Sequence, residues 1–129
     1  MGQKRNRIED ARNELEKAYG PLYTLLNSLT ERNGNTLGLL LREKDRLDKI
    51  LATYPFMFTS EIYNLWKEKI QPAKGRLPSG NEITLGVGSS ATFFIPIEFR
   101  NKINEEYDRK VEGYNRLLGK NPVFFKDVS

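Results

Sequence analysis

A chain of 129 residues with 38% hydrophobic and 29% charged side chains has the size of one domain, and its seven Phe, six Tyr and one Trp give it more large apolar groups than a disordered chain carries. It contains neither histidine nor cysteine, which removes the usual proton shuttle, the soft nucleophile, disulfides and most zinc, haem and iron–sulfur ligands. The net charge of +4 comes from 21 Lys and Arg against 17 Asp and Glu, and nearly every cation has an acid three or four positions away, a pattern that argues against nucleic acid as a partner.

Over residues 3–32, Ile8, Leu15, Ala18, Tyr19, Leu22, Leu25, Leu26 and Leu29 recur at three- and four-residue steps and predict an amphipathic first helix. Pro21 lacks an amide donor and its ring crowds the preceding turn, so a kink or split is expected there. Asn33-Gly34-Asn35-Thr36 then reads as the turn of a tight helical hairpin, with Gly34 in the left-handed position. A second helix is expected over 37–53, with Leu40, Leu41, Leu47, Ile50, Leu51 and Tyr54 inward and residues 42–48 otherwise largely outward. Pro55 pushes Tyr54 out of helical space and ends it.

After the apolar connector Pro55-Phe56-Met57-Phe58, Thr59 or Ser60 can cap a third helix that reaches about residue 70 and closes at Gln71-Pro72. The last helix begins near Pro96 and spaces Phe99, Ile103, Tyr107, Val111, Tyr114 and Leu118 at helical gaps. Its other face offers Glu105 to Arg109, Glu106 to Lys110 and Glu112 to Arg116 as four-residue ion pairs. Between these helices, 72–95 is a long excursion bearing Gly75, Gly80, Gly86, Gly88 and two prolines, in which 82–85 and 91–95 have the composition of a short β-hairpin. The fold expected is mainly α: one domain over 1–129, a four-helix antiparallel bundle with a kinked first helix and an apolar tail over 119–129. No apolar run approaches the roughly 18 residues of a spanning helix, and the start lacks a signal peptide's apolar segment. With no cysteine, a cytoplasmic location is the expectation.

Gly86-Val87-Gly88-Ser89-Ser90-Ala91 matches the dinucleotide pattern literally, but the extended-looking Phe93-Phe94-Ile95-Pro96 follows where that site needs a helix N-terminus. No phosphate-binding loop or nucleophile elbow is present, and a serine nucleophile has no histidine to activate it. The densest acids, Glu105, Glu106, Asp108 and Glu112, each have a basic neighbour at helical spacing, so they read as a solvated ion-pair face and not as metal ligands. Tyr19, Tyr23, Tyr54, Tyr63, Trp66, Tyr107 and Tyr114 read as core, with the wall of a ligand pocket as the alternative.

Residues 59–80 hold the one local cationic excess, Lys67, Lys69, Lys74 and Arg76 against Glu61 and Glu68, able to contact an anion. Phe93 and Phe94, with Phe124 and Phe125 of the tail, are the candidate contacts for a partner. No catalytic residue, metal ligand or cofactor is nominated. The functional expectation is a non-enzymatic interaction or scaffolding domain that binds another protein or itself. The alternative is a small-ligand sensor whose pocket is gated by residues 75–95, and the weakest reading is association with an anionic membrane surface or nucleic acid.

Overall fold

The period of the first 32 residues does produce a helix, and Pro21 shapes it by a route other than a break. The computed structural model describes residues 2–77, 82–83 and 91–119. Helical backbone starts in α1 (Gly2–Asn13), widens into a π-helical stretch (Glu14–Tyr19) and continues as α2 (Gly20–Asn27). The Gly20 amide donates to the Leu15 carbonyl, five residues back, directly before the proline that has no amide to give. The same device recurs where α4 (Ser60–Leu65) passes into a π-helical stretch (Trp66–Ile70): the Gln71 amide donates to the Trp66 carbonyl at 2.7 Å, directly before Pro72. Thr59 caps α4 as its position suggests, its hydroxyl oxygen accepting from the Ile62 amide at 3.2 Å.

The largest departure from the sequence expectation lies at 28–40. The first helix stops at Asn27, and the expected helical hairpin is a β-hairpin: β1 (Arg32–Asn33) pairs with β2 (Thr36–Leu40) around Gly34, whose φ of 62° suits the first position of a two-residue hairpin loop. Only at Leu41 does α3 (Leu41–Thr53) begin. Leu37 and Leu39 are buried, while Leu40, expected inward, is 44% exposed. A strand explains this alternation and a helix does not.

The remaining strands are β3 (Gly75–Arg76), β4 (Glu82–Ile83) and β5 (Thr92–Pro96), and the sheet order is β1-β2-β5-β3-β4 with antiparallel neighbours. The hairpin expected between 82–85 and 91–95 is therefore corrected, because β3 lies between β4 and β5. Gly75 makes that insertion possible: a Cβ there would stand 3.0 Å from the Phe93 ring and 3.1 Å from Ala91. Four helical runs accompany this small sheet, so the protein is mainly helical.

The last helix, α5 (Ile97–Leu118), follows expectation and buries Phe99, Ile103, Tyr107, Val111 and Tyr114, each worth about 1.5–3 kcal/mol over the exposed state. Tyr23 stacks on Tyr107 at 4.2 Å, Asn27 and Asn104 exchange amide hydrogen bonds, and Lys110 donates to Glu14 at 2.9 Å, all joining the first helical run to α5. That last bond corrects the expected Glu106–Lys110 pair. Glu106 meets Arg109 instead, at 2.6 Å, whereas Glu112 and Arg116 pair as expected. Among the described residues no helix is long and apolar enough to cross a membrane.

Candidate functional site

Strand alternation decides which of the candidate residues reach solvent. On the inner face Leu37 opposes Ile95 and Leu39 opposes Phe93, all four buried in the core. On the outer face Gly38 opposes Phe94, and Arg76 opposes Thr92. Phe93 is thus 6% exposed and offers no surface to a partner, while Phe94, one residue on, is half-buried on the opposite side. Phe124 and Phe125 lie outside the described residues, as does most of the glycine-rich segment between β4 and β5.

The outer face of the sheet meets the turn that ends the α4 helical run, and a concavity of about 470 Å³ forms between them. Lys69 comes from the π-helical turn, Lys74 from the segment after Pro72 and Ala73, and Arg76 from β3. Phe94 and Thr36 come from the neighbouring strands. Arg76 sits diagonally from Phe94 across β3 and β5, a relation that spans about 7–8 Å and lies within reach of a guanidinium and a ring. All three cations are exposed, and among the described residues lining the groove there is no carboxylate. Glu82 is the register partner of Arg76 on the edge strand. The Thr36 hydroxyl donates to the Asn33 carbonyl at 2.6 Å.

Three of the four cations nominated from the sequence therefore converge, together with one of the four phenylalanines. Lys67 does not join them: its ammonium lies 5.8 Å from the centroid of the Trp66 ring, outside the groove. Thr36, Pro72 and Ala73 carried no signal of their own in the sequence, because their place in the groove depends on the pairing of β2 with β5.

A second concavity, of about 250 Å³, separates residues 28–31 from β2 and is lined by Glu31 and Glu43. These residues close the strand edge: the Gly38 amide donates to the Glu31 carbonyl at 3.0 Å, and the Leu40 amide to the Glu43 carboxylate at 2.8 Å.

Buried polar groups also lie away from the groove, Lys44 and the Tyr19 hydroxyl among them. Lys44, expected outward, is 4% exposed, donates to Asp48 at 2.5 Å and stands 5.6 Å from the centroid of the Phe93 ring. The other oxygen of Asp48 accepts from the Trp66 indole at 2.8 Å. Every member of this network has a partner, which marks it as structural. The Tyr19 hydroxyl, in contrast, is buried without a hydrogen bond, the Thr59 backbone approaching it short of bonding geometry. Burial first, and then the carboxylates of Glu106 and Glu14, push its ionisation well above the ordinary phenol range. Among the described residues no group of three or more acidic, His or Cys side chains could hold a metal ion.

Comparison with protein-family models, with curated proteins and with solved structures gave no match.

Proposed function

We propose that this protein is a non-enzymatic interaction domain that recognises an anionic partner through the groove of Lys69, Lys74, Arg76 and Phe94. One observation carries the reading: Lys69, Lys74 and Arg76, all exposed and drawn from three successive segments, line one concavity with an aromatic ring. Its volume lies within the roughly 300–1,000 Å³ common for ligand sites. A chain without histidine or cysteine favours binding over catalysis. We take the four helical runs as an antiparallel bundle that holds the sheet, and the Phe94 ring as the apolar contact for the partner.

The test is reversal of charge at the groove. The double variant Lys69→Glu and Lys74→Glu should lose at least about tenfold in affinity for heparin at low salt. Lys17→Glu with Lys49→Glu, an equal charge change at two exposed helical positions elsewhere, should lose far less. Equal losses for the two pairs, or a parent protein that heparin does not retain, would refute the reading.

A further inference from the structure

We propose that Asn33 is a self-modification site of the chain, at which the Gly34 amide nitrogen closes on the Asn33 side-chain carbonyl and converts the asparagine to aspartate or isoaspartate. The bond that forms joins the Gly34 nitrogen to Asn33 Cγ, the bond that breaks is Cγ–Nδ2, and the Gly34 amide proton leaves with the departing nitrogen as ammonia. Water then adds across either C–N bond of the resulting succinimide, restoring the main chain through Cα as aspartate or routing it through Cβ as isoaspartate. No oxidant, cofactor or second protein takes part, so the site needs only a reachable amide and an uncrowded carbonyl.

The hairpin supplies both. Asn33 is the asparagine of this sequence that precedes a glycine, and a side chain on the following residue is what ordinarily crowds the attacking nitrogen. Asn33 and Gly34 are exposed, and among the described residues nothing stands within 4 Å of where a Cβ on Gly34 would be. Among those residues the Gly34 amide makes no backbone hydrogen bond either. The turn requires Gly34, whose φ is 62° while that of Asn35 is not positive, but it places no demand on Asn33. Because β1 is two exposed residues long, Asn33 leaves its extended conformation at little cost. Asn35 is the contrast: it is exposed in the same loop, but its successor Thr36 has a branched Cβ and lies in β2. The asparagines of α4 and α5 precede amides that are bonded along their helices. Isoaspartate adds one atom to the main chain of β1, where Asn33 pairs with Thr36, Arg32 with Leu37, and the Glu31 carbonyl accepts from the Gly38 amide. That ladder cannot keep its register with the longer chain.

The test ages the folded protein in mildly alkaline buffer made with heavy-oxygen water and then reads the tryptic peptide over 33–42 by electron-transfer mass spectrometry, which separates aspartate from isoaspartate. Asn33 should take up heavy oxygen at least about tenfold faster than Asn35, with isoaspartate among the products. Asn33→Gln, whose longer side chain closes a larger ring far more slowly, should show no uptake at that position, and it alters only an exposed side chain. Protein carrying isoaspartate, separated by ion exchange, should unfold at a lower urea midpoint than the parent, whereas Asn33→Asp, with an ordinary main chain, should stay close to the parent. Uptake no faster at Asn33 than at Asn35, or seen only once urea has unfolded the chain, would overturn the proposal. An isoaspartate form as stable as the parent would overturn its effect on the hairpin.

Discussion

Lys44 illustrates how one side chain departs from its sequence neighbourhood. It belongs to a run of charged residues at the start of α3, yet it alone in that run is buried, its ammonium held by Asp48 while Trp66 binds the other carboxylate oxygen. The pair is asymmetric, with side-chain exposures of 6% for Lys44 and 27% for Asp48. Removing the acid therefore strands a desolvated cation and an indole donor, whereas removing the cation leaves a carboxylate that still has water and the indole. Asp48→Ala should cost about 3 kcal/mol, the low end for breaking a buried pair, and Lys44→Met should cost less than about 1 kcal/mol because its stem still packs near Phe93. Urea-unfolding midpoints of the two variants decide this, and the reverse order would show that the cation reaches solvent. The sequence held no trace of the network, because helical periodicity ranks Lys44 with Arg42 and Asp45, and only the tertiary approach of Trp66 and Phe93 separates them.

At the scale of elements, the first helical run, α4 and α5 were legible because apolar residues recur at helical steps and Thr59 and Pro96 mark two of the starts. The strand β2 was missed, although its alternation is visible in hindsight: Leu37 and Leu39 face in, Gly38 and Leu40 face out. A short leucine run next to a helix continues that helix as readily as it forms a strand, and the partner that decides, β5, lies more than 50 residues away in the chain. The groove shares this origin. Its cations were nominated from local charge and Phe94 from local apolarity, but their meeting depends on the same long-range pairing. Gly38, like Gly75, is a local sign of close approach. A Cβ there would stand 2.7 Å from Glu31 Cγ and 2.9 Å from Thr92 Cγ2, both near the roots of their side chains. Gly38→Ala should destabilise the protein by about 1–3 kcal/mol, measured as a lowered unfolding midpoint, with displacement of Glu31 from the strand edge. A variant as stable as the parent would mean that Glu31 gives way freely.

For the whole molecule, the missing histidines and cysteines remove the side chains that ordinarily titrate between about pH 5 and 9, so the response of stability to pH shifts toward the alkaline limb. Two described groups set that limb. Tyr19 ionises above its ordinary 10.0, and Lys102, hydrogen-bonded to Glu61 and near Glu98, holds its proton above its ordinary 10.5. In both cases the folded state retains a proton that the unfolded chain releases, so the contribution is present in full below about pH 10 and fades as the pH rises through the folded-state values. Tyr19 matters more, because its hydroxyl is buried near the Thr59 backbone and an anion there would face Glu106 and Glu14, whereas Lys102 lies nearer the surface. The urea midpoint should hold steady through neutrality and drop above about pH 10, and Tyr19→Phe should flatten that drop. At neutral pH the same variant should be neutral or stabilising by up to about 1 kcal/mol, since it deletes a buried hydroxyl that makes no hydrogen bond. An alkaline limb as steep in Tyr19→Phe as in the parent would place the cause elsewhere. A loss of stability at neutral pH would reveal that the hydroxyl is bonded after all, through a water between Thr59 and the carboxylates.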